Sequence, residues 1–233
     1  MFFSRVRVDT KALDRNALFH LMQGNGYGNH QLLWRLFPDA EARPFLFRQE
    51  LEREPDPDGE GPRGLPMFYV LSDVEPQPVP GLLGCETKPY QPVLAEGQRL
   101  AFHLRANPTV ARREENRKNT RRHDVLMDAK AAARGEGIED AAALRERMDE
   151  AGRDWLADEQ RAERCGYALV ARPQVSRYQQ HVHRRKGRDI RFSSLDYEGL
   201  LTVTDPERFQ VTLARGIGHS RAFGCGLWLI RRA

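Results

Sequence analysis

The sequence is poor in the features that mark disulfide-rich, zinc-binding and membrane proteins. Its three cysteines form an odd set without Cys-x-x-Cys spacing, which argues against a disulfide framework or a zinc site. No apolar run approaches the roughly 20 residues of a membrane-spanning helix. The opening Met-Phe-Phe-Ser-Arg lacks the composition of a signal peptide. The sequence therefore predicts a soluble, cytoplasmic protein.

Common catalytic and nucleotide-binding motifs are also missing. The chain has no His-Glu-x-x-His, no EF-hand spacing and no paired acidic motif on a predicted strand. It has no Gly-Lys-Ser/Thr of a nucleotide P-loop, and no Ser or Cys stands in a nucleophile elbow. We therefore expect neither a metal nor a cofactor.

Basic residues are clustered, although the net charge is modest. The 233 residues, enough for one large or two small domains, carry a formal charge of +4, which gives a mild preference for polyanions. Within residues 112–122, six of eleven are Arg or Lys. Such a segment is either a solvated, partly disordered loop or an arm for nucleic acid. The sequence leaves both interpretations open.

The densest glycine pattern lies near the C-terminus, between Arg215 and Ile230. Gly216, Gly218, Gly224 and Gly226 punctuate a stretch that also carries Arg221. Glycine is used where the backbone needs φ > 0 or approaches another group closely. The stretch lacks the third glycine of a dinucleotide fingerprint, and an apolar run typical of a buried strand follows it. It is either a tight structural turn or a loop that contacts phosphate.

Elements in the first half are predicted from apolar spacing and caps. We expect strands at 2–8, 45–51 and 65–71, a helix capped by Asp14 that ends at Met22, and a flexible connector at 24–28. Asn29 is a suitable N-cap for a second helix that Pro38 ends. Three prolines between residues 76 and 80 predict an irregular stretch over 75–97.

The second half predicts strands and helices in a βαββαβ order. Strands are expected within 99–108 and at 167–182, 188–203 and 227–230, and helices at 131–149, at 155–164 and after Asp205. This order is typical of the ferredoxin-like arrangement, an antiparallel sheet with helices on one face. The first half shows the same order of strands and helices less clearly. We therefore predict an α+β protein with tandem ferredoxin-like (RRM-like) domains at 1–96 and 97–233.

Among seven histidines, His30 is the best candidate for proton transfer. It is predicted to open a helix, and a helix N-terminus disfavours imidazolium and so favours a neutral base. Tyr27 precedes it by three residues. The residues alone do not decide between a catalytic and a structural His30.

Four segments together resemble the CRISPR-associated endoribonucleases of type I-E systems, the CasE family. They are Tyr27–Pro38, Leu104–Pro108, Tyr197–Val203 and Gly216–Leu229. The resemblance covers nearly the whole chain. It departs from the family pattern at residues 11–28, which are longer and richer in glycine, and at 109–150, which are enlarged and basic.

The resemblance implies tandem ferredoxin-like domains, a single cut beneath a hairpin in each CRISPR repeat, and retention of the product in the Cascade complex. The partners implied are the CRISPR repeat RNA and other Cascade subunits, with no membrane. It assigns catalysis to His30, with Tyr27 beside it. Candidate RNA contacts are Arg35, Arg105, Arg184, Arg185, Lys186, Arg188, Arg191, Arg215, Gly216, Gly218, His219, Ser220 and Arg221.

RNA chemistry fits these residues without a metal. The 2′-hydroxyl is the nucleophile, so a base, an acid and a cation near the phosphorane suffice. His30 is expected to serve as base or acid, Tyr27 to align the hydroxyl or donate a proton, and Arg215 or Arg221 to hold the phosphate. The mostly cationic residues Arg184–Gly187 join the predicted strands 167–182 and 188–203 as a basic hairpin. Two alternatives remain: a non-catalytic RNA-binding subunit with the same fold, and a general binder of double-stranded RNA that uses this hairpin.

Overall fold

The computed structural model describes residues 1–9, 26–51, 65–112, 121–185 and 188–233, and they divide into two α+β units. Unit 1 comprises residues 1–92 and 221–227, and unit 2 comprises 93–220 and 228–233. The sequence predicted a single boundary, after residue 96, and this boundary stays a prediction. The grouping of 221–227 with unit 1 was not predicted. Among the described residues, no helix combines the length and hydropathy that crossing a membrane requires.

Unit 1 is built on a four-stranded antiparallel sheet in the order β2-β3-β1-β4. Its elements are β1 (Phe2–Val8), α1 (Gly26–Trp34), β2 (Phe45–Leu51), β3 (Pro66–Ser72) and β4 (Leu83–Pro89). The first strand lies between the third and the fourth, as in the ferredoxin-like fold. The predicted helix from Asp14 to Met22 falls outside the described residues.

The core of unit 1 follows from the alternation along β1. Val6 and Val8 are buried and face the same side of the sheet, because successive side chains of a strand point to opposite faces. Leu33 and Leu36, three residues apart in and after α1, are fully buried in the same apolar cluster. The apolar spacing predicted in the sequence therefore packs α1 against one face of this sheet.

Strand β4 corrects the prediction that residues 75–97 are irregular. Leu83–Pro89 pairs antiparallel with β1 along its whole length, from Val8 opposite Leu83 to Phe2 opposite Pro89. Leu83 is buried, but most of the strand is polar and partly exposed, so its sequence carries little apolar signal. Pairing with β1 decides its conformation. Residues 73–82 connect β3 to β4 where the ferredoxin-like fold has its second helix.

Unit 2 repeats the same sheet order with more elements. They are β5 (Arg99–Ala106), β6 (Thr109–Arg112), β7 (Arg121–Asp124), α2 (Val125–Gly135), α3 (Ala141–Ala157), α4 (Glu159–Cys165), β8 (Tyr167–Leu169), β9 (Gln174–Arg185), β10 (Arg188–Val203), α5 (Pro206–Arg215) and β11 (Trp228–Arg232). The main sheet has the order β11-β5-β10-β8, and β9 also pairs with β10. The tandem ferredoxin-like fold is confirmed.

Three aspartates divide the helical segment more finely than predicted. Asp124, Asp140 and Asp158 are N-caps whose carboxylates accept backbone N–H groups at the starts of α2, α3 and α4. The predicted helices at 131–149 and 155–164 are therefore three helices with different bounds. Aspartate is a preferred N-cap, so the sequence did contain this signal.

The predicted long strand at 167–182 is also two strands. Residues 170–173 separate β8 from β9, and Pro173 has no backbone N–H to donate to the sheet. Both ends of the basic segment at 112–122 lie in a short two-stranded ribbon. In it β6 pairs with β7, from Thr109 opposite Asp124 to Arg112 opposite Arg121. Residues 113–120 lie outside the described residues, so the two interpretations of that segment stay open.

The core of unit 2 is aromatic. Tyr167, Tyr197 and Phe209 are almost fully buried, and the Tyr167 ring lies 5.5 Å from that of Trp228. The Tyr197 hydroxyl donates to the Gly152 carbonyl at 3.1 Å. Burial raises the pKa of both tyrosines, so these hydroxyls remain protonated donors.

Candidate functional site

Helix α1 carries the two predicted catalytic residues but begins earlier than expected. It starts at Gly26, so residues 26–28 belong to the helix and not to a flexible connector. Tyr27 lies in the first turn and His30 in the second, and only the backbone of Tyr27 is described. The dipole effect falls off within the first turn, so it acts less on His30 than the sequence suggested.

Asn29 does not cap the helix; it joins the helix to the sheet. Its side chain is buried, and its Nδ2 donates to Oε1 of Gln49 on β2 at 2.6 Å. The physical reason is that a side-chain amide within a helix that faces a strand can form its hydrogen bond with a side chain of that strand. The hydrogen bond links β2 to the part of α1 that carries His30, the next residue.

His30 sits at the border of an aromatic cluster. Its ring centroid lies 5.5 Å from that of Phe45 and 6.0 Å from that of Trp34. The side chain is half-buried, so it is packed on one side and accessible to a ligand on the other. A positioned imidazole with solvent access is suited to general acid–base chemistry.

A short 3₁₀ turn, Arg221–Phe223, contacts both α1 and β2. The pKa of Arg43, which precedes β2, is lowered by desolvation and then by the charge of Arg221. Two guanidinium groups thus lie within electrostatic range of each other on the unit that holds His30. A bound phosphate would relieve their repulsion. Arg43 was missed because no motif marks it; only the fold brings it towards Arg221.

The glycine stretch adopts the backbone that its composition predicts. Gly216, Gly218, Gly224 and Gly226 have φ values of 69°, 77°, 84° and 94°. A Cβ on Gly224 would lie 3.2 Å from the Phe47 ring, so this glycine also permits a close approach. The positive φ values explain why each of these positions is a glycine. A contact between this stretch and phosphate stays a prediction.

Asn107, which is distant in sequence, forms two contacts with the glycine stretch. Its Nδ2 donates to Oγ of Ser220 at 2.7 Å, and its backbone forms an isolated bridge with His219. Ser220 has a φ of 57°, which is uncommon for a residue other than glycine. The Leu104–Pro108 segment therefore has a structural link to the glycine stretch, which the sequence showed only as two separate motifs.

Other predicted RNA contacts are scattered over both units. Arg35, Arg191, Arg215 and His219 are exposed, and Gly216 is the buried C-cap of α5. Arg105 forms a bidentate ion pair with Asp196, at 2.7 and 2.9 Å, which gives it a structural role within unit 2. Its RNA contact stays a prediction.

The basic hairpin exists as the ribbon of β9 and β10. Arg184, Arg185 and Arg188 lie on its strands, with Arg185 opposite Arg188; only their backbone is described, and Lys186 falls outside the described residues. Further along, the His181 ring stacks on Phe192 with centroids 4.4 Å apart. The His181 Nε2 lies 2.8 Å from the Ser194 hydroxyl. These two contacts join side chains of β9 and β10 in the part of the ribbon whose side chains are described.

Among the described residues, no group of three or more His, Cys, Asp or Glu side chains is arranged to hold a metal ion. The chemistry available around α1 is that of an accessible imidazole with two cationic groups on the same unit. Such a set can transfer protons and stabilise a developing negative charge.

Comparison with known proteins gives consistent results. A family model described as CRISPR associated protein matches residues 1–232. The chain is 31% identical to the CRISPR-associated endoribonuclease Cse3 of Thermus thermophilus, over 86% of this chain and 79% of the relative. It is 28% identical to the Cascade subunit CasE of Escherichia coli, over 86% and 89%.

A solved structure agrees over the full length. Thermus thermophilus Cse3 bound to an RNA representing a pre-cleavage complex aligns with a TM-score of 0.65 at 26% identity, covering 99% of this chain and 98% of that one. The family match, the relatives and the paired ferredoxin-like sheets agree with the resemblance seen in the four sequence segments. The chain belongs to the family of CRISPR-associated proteins that includes the Cse3 and CasE endoribonucleases.

Proposed function

We propose that this protein is an endoribonuclease that cleaves precursor CRISPR RNA within the repeat, below a stem-loop, without a metal. Membership of the family and the printed activity of its Thermus relative support this function. The protein then retains the product as part of a Cascade complex, as the name of its Escherichia coli relative suggests. Since the substrate is a cellular transcript, the protein acts in the cytoplasm.

The observation that carries the proposal is the composition of the site on unit 1. A half-buried imidazole, His30, follows Asn29, whose side chain is hydrogen-bonded to Gln49, and desolvation and then the charge of Arg221 lower the pKa of Arg43 on the same unit. Proton transfer and charge stabilisation are the two contributions that cleavage of an RNA phosphodiester requires.

The proposed reaction uses the nucleophile that RNA itself carries. The 2′-oxygen attacks the adjacent phosphorus as its proton passes to a base, and the bond from phosphorus to the 5′-oxygen breaks as that oxygen receives a proton. His30 serves as base or acid, and Tyr27 aligns the hydroxyl or donates the other proton. Arg215 or Arg221 holds the charged phosphorane, and Arg43 adds positive charge on the unit that carries Arg221. The products carry a 2′,3′-cyclic phosphate and a 5′-hydroxyl.

The test uses labelled repeat RNA from the organism's own genome. Cleavage is expected to persist in excess EDTA and to fail on RNA with a single 2′-deoxy nucleotide immediately upstream of the cut. His30→Ala is expected to lower the cleavage rate by at least about 100-fold with little change in RNA affinity. His103→Ala, an exposed histidine of unit 2, is the matched control.

Two results would overturn the proposal. Cleavage that only a divalent metal restores would assign the chemistry to a metal-bound nucleophile. Tight binding of the repeat without cleavage, with the same affinity in His30→Ala, would identify a non-catalytic RNA-binding subunit. Binding that does not depend on the repeat sequence would identify a general double-stranded RNA binder.

A further inference from the structure

The sheet of unit 1 has a second face, opposite the one that packs on α1. Because Val6 and Val8 face the core, Phe3, Arg5 and Arg7 of β1 face the other way. The register sets Arg5 opposite Tyr69 on β3 and opposite Glu86 on β4. Side chains from three neighbouring strands therefore share this face, which we call the outer face of unit 1.

Aromatic side chains meet on the outer face. The Phe3 and Tyr69 rings, on the two central strands, are nearly parallel, with centroids 5.8 Å apart and an interplanar angle of 20°. The Tyr90 ring, just after β4, lies 5.5 Å from Phe3. All three side chains are only half-buried. Nothing in the core of unit 1 requires rings here, because its core lies on the other side of the sheet.

The rings border an open cavity of about 410 Å³. It is lined by Phe3, Arg5, Tyr69, Glu86, Thr87 and Lys88. This volume falls within the roughly 300–1,000 Å³ of small-ligand sites. Leu46 and Leu71, which share the outer face towards β2, are buried. The accessible part of the outer face is therefore limited to the side of β1 and β4. It has room for one or two planar groups such as nucleotide bases.

Positive charge surrounds the rings. Arg5 donates to Glu86 at 2.6 Å, and Arg7 lies 3.9 Å from the same carboxylate. Lys88 is exposed at the end of β4. Three cationic side chains thus share this side of the face with one carboxylate, a balance that favours an anionic backbone. Stackable rings beside cations are the combination that binds single-stranded nucleic acid.

The corresponding face of unit 2 provides an internal contrast. There Arg105 of β5 forms an ion pair with Asp196 of β10, and His103 Nδ1 lies 3.4 Å from Oε1 of Glu198. Both units therefore carry charged side chains on this face, but only in unit 1 do the two central strands present a pair of rings, Phe3 and Tyr69, beside them. The rings are a property of the unit 1 sequence and not of the fold.

We propose that the outer face of unit 1 is a binding site for single-stranded RNA, on which Phe3 and Tyr69 stack one or two unpaired bases. Four-stranded sheets bind single-stranded RNA in this way, by stacking bases on their aromatic side chains. Within the proposed function, on which this assignment rests, the bound bases belong to the unpaired nucleotides that flank the stem of the repeat. The site lies on the face of the unit 1 sheet opposite the one that packs on α1, the helix that carries His30.

The test compares two RNA probes on the full-length protein. One is the repeat stem-loop with its unpaired flanks, blocked against cleavage by a 2′-deoxy nucleotide, and the other is the same stem-loop trimmed to its paired nucleotides. Phe3→Leu and Tyr69→Leu remove the rings but keep apolar side chains. Each is expected to weaken binding of the flanked probe by about 5- to 100-fold, the scale of one lost base–aromatic stack. Binding of the trimmed probe should not change.

His103→Leu, at a central position of the outer face of unit 2, is the matched control and should leave both affinities unchanged. Unchanged binding of the flanked probe by Phe3→Leu and Tyr69→Leu proteins that melt normally would overturn the proposal. If a variant fails to fold, photocrosslinking of wild-type protein to 5-iodouridine in the flank decides. Crosslinks at Phe3, Tyr69 or Tyr90 are expected, and their absence would overturn the proposal.

This experiment separates the two proposals. An oligouridine decamer that binds through Phe3 and Tyr69, together with a repeat RNA that is never cut, would refute the proposed function and leave the outer-face site intact. Normal cleavage of the repeat, with binding of the flanked probe that does not depend on Phe3 or Tyr69, would refute only the outer-face site.

Discussion

The side-chain amide of Asn107 donates a hydrogen bond to the hydroxyl of Ser220 at 2.7 Å, across 113 positions of sequence. Ser220 holds a left-handed backbone, with φ at 57°. A residue other than glycine is strained there, so the bond from Asn107 compensates part of the cost. The contact links Asn107, the residue after β5, to the glycine stretch immediately before Arg221.

Breaking this contact should destabilise the protein. Asn107→Leu is expected to cost about 1–3 kcal/mol of unfolding free energy, because it leaves the half-buried Ser220 hydroxyl without this donor. Ser220→Gly removes the hydroxyl but relieves the strain, so it should cost less. A double-mutant cycle measured by urea unfolding should give a coupling energy of at least about 0.5 kcal/mol. Strictly additive losses would show that the contact is not energetically significant.

Asn29 should affect catalysis through the position of His30. Asn29→Ala removes the hydrogen bond to Gln49, which should cost about 1–3 kcal/mol of stability and loosen α1. The cleavage rate constant should fall more than RNA affinity, because the misplaced group acts in the transition state. Single-turnover kinetics on repeat RNA measure both quantities.

The control lies on the same helix. Gln31→Ala changes an exposed neighbour of His30 and should leave rate and stability almost unaffected. If Asn29→Ala and Gln31→Ala cleave equally fast, the Asn29–Gln49 bond does not position the site.

Gly224 should tolerate no side chain. Its φ of 84° disfavours L-residues, and a Cβ would lie 3.2 Å from the Phe47 ring. Gly224→Ala is expected to destabilise the protein by about 1–3 kcal/mol, and Gly224→Val by more, since β-branched residues tolerate φ > 0 poorly. Gly84→Ala is the control, because nothing lies within 4 Å of its added Cβ. Equal unfolding free energies for the Gly224→Ala and Gly84→Ala proteins would contradict the requirement.

The tip of the β9–β10 ribbon should bind the RNA stem through phosphates. A-form RNA hides its base edges in a deep, narrow major groove, so a protein holds a stem through phosphates and shape. Replacing Arg184, Arg185 and Lys186 by Ala should reduce the slope of log affinity against log salt by about two. The cut position should stay the same, because the proposed chemistry is at His30.

A charge-matched control distinguishes phosphate contacts from net charge. Replacing Lys130, Arg134 and Arg164 of α2 and α4 by Ala removes the same charge from elsewhere in unit 2. That variant should keep the wild-type salt slope. A ribbon variant with an unchanged slope would show that the tip is a solvated turn.

Several features were predictable because local sequence determines them. Alternating apolar residues predicted β1 and β5, and Asp205 with Pro206 predicted the start of α5, since caps and side-chain alternation act over a few residues. The four glycines indicated positive φ or a close approach of the backbone, and all four have positive φ, because glycine adopts it with the least strain. The family segments located His30.

Tertiary structure decided what depends on residues far apart in the chain. Strand β4 forms because β1 offers it a pairing edge, and Asn29 lies inside α1 because Gln49 on β2 receives its amide. Arg43 and Arg221 come within electrostatic range, and Phe3 meets Tyr69, only once the strands and loops are assembled. The sequence alone determined the fold class and the catalytic candidate, whereas the surroundings of that candidate and the outer face depend on pairing and packing that local patterns do not encode.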